Sequence, residues 1–255
     1  MQIITSPSKT QQFNGRKYCE YSLPRLQKMT KPLIDLLKIL SREELSSLLK
    51  TSNKLTSTAH RRIHGFTTKL TLQNAAQALF TYQGDAYSAV AADRYTEEEL
   101  SFAQKHLFIL SALHGILSPL DLIQPYRLDM NTPLNIAGAG NLYQYWRGAV
   151  TEIINNSLLE MADRTLINLA STEYAKMVSR KDLQGTMVTI SFKQKLLGKY
   201  RTIPIHAKKA RGLMVHFAVS NRINEPLRLR EFAEDGYVFS AAESTENDWL
   251  FCREE

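Results

Sequence analysis

The fold is decided by residues 165–174, which read TLINLASTEY. The first five residues form a short apolar run and predict a buried strand. Polar residues follow at once, and Ser171 or Thr172 suits the cap of a helix that begins there. An alternative to simple capping is that Glu173 and Lys176 face a functional site. The stretch therefore predicts a strand that passes directly into a helix.

More strands are expected on both sides of this junction. Residues 187–192, MVTISF, alternate between apolar and polar side chains, which is typical of a strand. Residues 200–205 predict its hairpin partner across Gly198, and Pro204 favours an edge or a strand end. Three further short strands are predicted, at residues 2–5, 237–239 and 249–251.

Helical patterns fill most of the remaining chain. Thr96 precedes three glutamates, which predicts a capped helix that carries Leu107 and Leu113 and ends near Gly115. Residues 33–64 predict a cluster of short helices, and residues 118–140 a long ordered loop. The sequence thus predicts an α/β or α+β fold, with a mixed central sheet and surrounding helices. All of residues 1–255 would form one compact domain, with 33–64 as a candidate helical subdomain.

Composition excludes several classes of protein. The chain has 255 residues, of which 44% are hydrophobic and 22% charged, so it is neither disordered nor collagen-like. Its two cysteines, Cys19 and Cys252, are far apart, which argues against a thiolate metal cage and favours a reducing compartment. No metal or cofactor is expected. We find no membrane-spanning run and no signal peptide, so the cytoplasm is the expected location.

Basic residues are concentrated in two blocks. The net charge is +7, and residues 191–230 hold ten basic residues against one acid. Residues 1–72 hold thirteen basic and four acidic residues. If folding places both blocks on one face, the field there attracts polyanions. Nucleic acid is the first candidate, and a nucleotide or another phosphorylated small molecule is the second.

The sharpest local feature is the stretch AKKARG at residues 207–212. The sequence predicts a helix over residues 207–223, on which Lys208 and Arg211 share a face. Three cations in its first turn oppose the helix dipole and indicate an anionic partner. A solvated basic helix is the alternative. Gly212 permits close approach of another backbone or a ligand.

Residues 117–128 combine proline turns with Tyr126 and Arg127. An aromatic ring beside a guanidinium suits base stacking and phosphate contact. The alternative is a packed loop in which Arg127 pairs with Asp121 or Asp129.

Taken together, several stretches resemble the signature regions of the YaaA peroxide-stress family. The resemblance implies a cytoplasmic bacterial protein that helps cells to survive hydrogen peroxide and to limit free iron. It also implies binding of duplex or branched DNA through a positively charged cleft, with a helix-hairpin-helix-like element at 33–64. The connection Thr51–Lys54 lacks the glycine that is usual in such turns. Within it, Asn53 is a residue type that can adopt a left-handed conformation. The resembling stretches are residues 6–10, 84–87, 117–130, 168–174, 207–214 and 221–222.

Two functional hypotheses follow. In the first, the protein binds DNA without catalysis and contacts phosphates without regard to base sequence. In the second, it is an enzyme that acts on a phosphorylated small molecule or a nucleic-acid end, with Glu173 as base and Lys208 as charge stabiliser. Convergence of Lys9, Arg127, Asn168 and Lys208 in one small pocket would favour the enzyme, and an open groove the binder. The expected phosphate-contacting residues are Lys9, Lys54, Tyr126, Arg127, Lys176, Lys208, Lys209, Arg211 and Arg222.

Overall fold

The computed structural model describes residues 1–13 and 18–254. Within these ranges eight strands form one mixed sheet, and two short strands pair separately as an antiparallel ribbon. This confirms the predicted α/β class with a central mixed sheet. The sheet strands are β1 (Gln2–Thr5), β3 (Leu107–Ser111), β4 (Gly115–Leu117), β6 (Thr165–Asn168), β7 (Thr186–Leu196), β8 (Lys199–Arg201), β9 (Val238–Phe239) and β10 (Asp248–Arg253); the ribbon is β2 (Ala76–Gln77) with β5 (Leu122–Ile123).

The five inner strands run parallel in the order β3-β1-β6-β7-β10, and β4, β8 and β9 add antiparallel pairs. β1 lies between β3 and β6, since Ile3 aligns with both Leu107 and Ile167. The order of strands along the chain therefore reverses at β1. Ligands of open parallel sheets commonly bind beyond the carboxyl ends of the strands at such a point.

Nine α-helices surround the sheet in the described part of the chain. The predicted cap of α6 is confirmed, since Thr96 and Glu99 form a reciprocal capping box. Asn141 caps α7 by accepting a hydrogen bond from the Gln144 amide. The helices are α1 (Gln27–Lys38), α2 (Arg42–Leu49), α3 (Asn53–His64), α4 (Ala78–Thr81), α5 (Asp85–Val90), α6 (Glu97–His106), α7 (Leu142–Leu159), α8 (Thr172–Ala175) and α9 (Pro204–Ser220).

The predicted helix from residue 97 to Gly115 is wrong in its second half. Helix α6 ends at His106, and Leu107–Ser111 form the fully buried strand β3. A parallel strand covered on both faces is a continuous apolar run, and such a run can also be read as one side of a buried helix.

The predicted helical cluster corresponds to α1–α3, which begins at Gln27 rather than at residue 33. Its buried side chains, among them Leu37, Leu45 and Ile63, belong to the same hydrophobic core as the sheet. The left-handed residue between α2 and α3 is Lys50, with φ 49°, and not Asn53, which begins α3. The core thus fixes the cluster against the body of the protein.

Helix α9 begins three residues earlier than predicted, because Pro204 occupies its first turn instead of ending a strand. Lys208 and Arg211 therefore lie in its second and third turns. The prediction that Gly212 permits close approach is confirmed for a backbone. A Cβ at residue 212 would lie 2.0 Å from the Ala86 carbonyl oxygen, so the missing side chain allows α9 to pack directly on α5.

Candidate phosphate-binding cavity

A cavity of about 430 Å³ opens beyond the carboxyl ends of β1 and β6. We call it the basic cavity. Its wall comes from five separated segments of the chain: residues 5–11, 83–87, 126–129, 169–174 and 208–211. The first and fourth follow β1 and β6, and the last belongs to α9. Neighbouring parallel strands thus bring together segments that lie far apart in the sequence.

Hydrogen bonds hold the two strand-end loops in place. The Ser171 amide donates to the Ser6 Oγ at 2.8 Å, and the two serine hydroxyls lie 3.2 Å apart. The Tyr87 hydroxyl donates to the Ser6 carbonyl at 2.9 Å. Ser171 also caps α8, since its hydroxyl accepts from the Tyr174 amide. These contacts make the floor of the cavity rigid.

Three cations line the basic cavity without a partner among the described residues. Arg127, Lys208 and Arg211 all border it, and their side chains make no hydrogen bond or ion pair within residues 1–13 and 18–254. Burial lowers the pKa of the Arg211 guanidinium below its ordinary value. A buried guanidinium is costly unless an anion compensates it. The arrangement therefore favours an anionic ligand.

Lys9 borders the same cavity but carries its own counter-ion. Its ammonium lies 2.8 Å from the Asp129 carboxylate, and 63% of the Lys9 side chain is exposed. Asp129 therefore pairs with Lys9 rather than with Arg127. Asp121, the other proposed partner of Arg127, instead accepts hydrogen bonds from the Ser22 hydroxyl and the Ser118 amide.

Tyr126 does not offer a ring face for stacking, which corrects the predicted role. Its side chain is only 4% exposed, and its hydroxyl lies 2.7 Å from the Tyr82 hydroxyl and 2.9 Å from the Ser111 Oγ. Burial raises the pKa of Tyr126 to about 12. The residue supports the wall of the cavity and the adjoining Arg127.

Glu173 adds a carboxylate to the cavity. Its Oε1 atom is buried and has no hydrogen-bond partner among the described residues. Buried polar atoms in proteins are nearly always satisfied, so this oxygen calls for a donor. Its neighbour Tyr174 also lines the cavity, and burial raises the pKa of the Tyr174 hydroxyl above its ordinary value.

The convergence that would favour an enzyme is partial. Lys9, Arg127 and Lys208 line the basic cavity, whereas Asn168 does not. The Asn168 side chain instead accepts from the Ala170 amide and donates to the Thr189 hydroxyl, so it shapes the turn after β6.

Four of the predicted phosphate contacts lie outside the basic cavity. Lys54 is in the first turn of α3, and Lys176 follows α8; both side chains are exposed. Lys209, on another face of α9, pairs with Asp235 at 3.1 Å, and Arg222 pairs with Glu98. The structure therefore divides the predicted set, with Lys9, Tyr126, Arg127, Lys208 and Arg211 together and these four elsewhere.

Arg62, in the last turn of α3, lies near one cation of the basic cavity and was not among the predicted contacts. Burial lowers its pKa, and the positive charges of Arg61 and then Arg127 lower it further. Its charge therefore acts on Arg127, although Arg62 does not itself line the cavity. Its signal in the sequence is the pair Arg61-Arg62 near the helix terminus. Asp85 and Tyr174 also line the wall. Both lie in stretches that resemble the family, 84–87 and 168–174, but an acid and a tyrosine did not stand out as phosphate contacts.

Neither a metal cluster nor a membrane helix is found in the described residues. No group of three or more histidine, cysteine, aspartate or glutamate side chains within residues 1–13 and 18–254 could hold a metal ion. In the same ranges, no helix combines the length and apolar character needed to cross a bilayer.

The fold and the cavity define an α/β protein with a basic pocket at the carboxyl edge of a parallel sheet. The chain belongs to the peroxide stress protein YaaA family, whose family model matches residues 1–243. It is 46% identical over 253 residues to a UPF0246 protein of Acaryochloris marina, covering 99% of this chain and 100% of that protein. UPF0246 proteins of Shewanella woodyi and Colwellia psychrerythraea are 41% and 40% identical, each over 100% of both chains. The resemblance in the sequence is thereby confirmed, and membership supports a role in peroxide stress.

Proposed function

We propose that this protein acts in the cytoplasm during peroxide stress by binding DNA through phosphate groups at the basic cavity. The observation that carries the proposal is the set of three cations, Arg127, Lys208 and Arg211, that line one concave wall without a partner among the described residues. Protection of DNA and restraint of free iron would be consequences of the complex, since the described residues offer no iron site of their own.

The charge and size of the basic cavity support contact with a DNA backbone. At about 430 Å³ it can admit a phosphate group but not a duplex, so the rest of the strand would lie outside it. Arg62, in the last turn of α3, adds a positive charge near Arg127. Arginine side chains suit this role because their planar fork matches phosphate oxygens.

The test is duplex binding as a function of salt. With three phosphate contacts, binding should weaken about 40-fold between about 50 and 200 mM salt, because each contact releases condensed counter-ions. Lys208→Gln should weaken binding and reduce the slope of log affinity against log salt by about one. Electrophoretic mobility shift or fluorescence anisotropy measures both quantities.

Lys209→Gln is the matched control. It removes the same charge from the adjacent position of α9, but Lys209 lies outside the basic cavity and is already paired with Asp235. Equal losses in the two variants would indicate non-specific attraction and contradict the proposal. A flat response to salt would also contradict it.

The enzyme hypothesis concerns the same cavity and differs by requiring turnover. Glu173 favours it, since a carboxylate oxygen with no donor among the described residues can accept a proton. Incubation with end-labelled DNA and with phosphorylated nucleosides would show a shortened or dephosphorylated product if this hypothesis holds. If the substrates are unchanged, the enzyme hypothesis is rejected and DNA binding without catalysis remains.

A further inference from the structure

We propose that the basic cavity takes a terminal nucleotide: a phosphate group attached to a nucleoside that carries a free sugar hydroxyl. Free nucleoside monophosphates and the 3′ ends of DNA strands share this chemistry. The inference rests on the proposed function, because it assigns the same cations to phosphate. It goes further by giving Glu173 a part in choosing the ligand.

The size of the cavity limits what can enter it. At about 430 Å³ it falls within the range of small-molecule pockets, about 300–1,000 Å³, and can hold one nucleotide. Its wall combines apolar groups, such as those of Pro7, Ala86 and Leu169, with a few polar and charged side chains. Such a mixture suits a nucleoside better than an isolated inorganic ion.

The charges of the wall require two kinds of group in one ligand. Arg127, Lys208 and Arg211 need an anion, whereas the buried Oε1 of Glu173 needs a hydrogen-bond donor. A phosphodiester within a strand supplies the anion but leaves the Glu173 oxygen without a hydrogen-bond donor. A terminal nucleotide supplies both, because its phosphate is accompanied by an O–H group on the sugar.

Contacts between loops and helices fix the positions of Glu173, Lys208 and Arg211 around the basic cavity. Glu173 lies in α8, whose first turn is fixed by Ser171, and Ser171 is bonded in turn to Ser6 after β1. Lys208 and Arg211 are fixed by the close packing of α9 on α5 at Gly212. Glu173 therefore belongs to one fixed element, and Lys208 and Arg211 to another; both face one cavity, and a ligand has to match both.

Isothermal titration calorimetry with a pair of nucleotides tests the inference. Deoxyadenosine 5′-monophosphate should bind, and the 2′,3′-dideoxy analogue, which lacks only the 3′ hydroxyl, should bind about 10-fold more weakly because a hydrogen bond to a charged group is lost. Glu173→Ala should make the two affinities equal. Lys208→Gln should weaken both nucleotides, and Lys209→Gln neither.

The source of the terminal nucleotide is distinguished by a second pair of ligands. A single-stranded oligonucleotide ending in a 3′ hydroxyl is compared with the same strand ending in a dideoxynucleotide. If the two affinities differ only for the free nucleotides, the site takes mononucleotides. If they differ for both pairs of ligands, the site also takes the 3′ ends of DNA strands. Equal affinities within both pairs for the unaltered protein, or discrimination that survives Glu173→Ala, would overturn the inference.

Covalently closed circular duplex separates this inference from the proposed function. It has no termini, so salt-dependent binding of the circle without any hydroxyl discrimination would overturn the terminal-nucleotide site and leave DNA binding standing. If neither circular nor linear duplex binds while deoxyadenosine 5′-monophosphate does, DNA binding is rejected and the nucleotide site is retained. Lack of binding to every ligand rejects both.

Discussion

His114 illustrates how burial defines the chemistry of a single residue. It lies just beyond β3 and is 1% exposed, with its Nδ1 3.5 Å from the Thr30 hydroxyl and its ring edge-on to Tyr126. Burial lowers the pKa of His114 to about 3. The imidazole is therefore neutral at physiological pH and serves as packing behind the tyrosine that supports the basic cavity.

This shift in pKa predicts an acid-sensitive fold. An unfolded histidine titrates near pH 6.5. Between about pH 6.5 and 3, His114 therefore binds a proton in the unfolded chain but not in the folded protein. The free energy of unfolding should fall as the pH drops through this window, by roughly 1 kcal/mol per pH unit from this residue. Urea unfolding at a series of pH values gives the slope, and His114→Gln should flatten it. The same slope in both proteins would contradict the assignment.

At the residue scale, the sequence predicts which side chains share a face of a helix better than it predicts their ion-pair partners. The spacing of Lys208 and Arg211 suffices to place them on one side of a helix, and both line the basic cavity. The counter-ions of other cations come from remote positions: Asp129 for Lys9, Asp235 for Lys209 and Glu98 for Arg222. Pairing over such separations depends on the tertiary fold, so local sequence cannot reveal it.

At the scale of elements, a helix start that carries a local cap is predictable, whereas the unmarked starts of α1 and α9 and the end of α6 are not. The capping box of Thr96 marks the first residue of α6 correctly, because a cap is a local hydrogen-bonding device. No local signal separates His106 from Leu107, where the helix gives way to the buried strand β3. The change is imposed by pairing with β1, whose residues lie about a hundred positions earlier.

The contact between α5 and α9 gives a prediction at the same scale. Gly212→Ala should lower the free energy of unfolding by about 1–3 kcal/mol, because the new methyl group would overlap the Ala86 backbone. It should also weaken DNA binding, since α9 carries Lys208 and Arg211. Thermal unfolding and anisotropy measure the two effects.

Gly148→Ala is the control for this substitution. Gly148 lies inside α7, and a methyl group added there would have nothing within 4 Å of it, so alanine should stabilise the helix by up to about 1 kcal/mol. If Gly212→Ala stabilised the protein, the prediction would be contradicted, because α5 and α9 could then move apart without loss of stability.

At the scale of the whole molecule, distribution of charge matters more than its total. The net charge is +7. Among the described residues, carboxylates pair with seven basic side chains, and three cations without such partners line the basic cavity. The two basic blocks of the sequence indicate an anionic partner as a hypothesis. They do not reveal which cations are available, because that depends on how the acidic segments fold against them.

Removal of one carboxylate tests whether the position of a free cation, rather than the total charge, determines DNA affinity. Asp129→Asn frees Lys9 at the edge of the basic cavity, so DNA affinity should rise several-fold at low salt and the salt slope should steepen by about 0.9. Asp235→Asn raises the net charge equally but frees Lys209 and Arg253, both outside the cavity. Matching gains in the two variants, measured by anisotropy at several salt concentrations, would show that only total charge counts.

The position of β1 has a consequence for biosynthesis. This strand is synthesised before both of its neighbours, β3 and β6, where Ile3 aligns with Leu107 and Ile167. Its hydrogen-bonded ladder can therefore be completed only after β6 has emerged from the ribosome. Nascent chains of this protein should depend on chaperones that shield hydrophobic segments during translation.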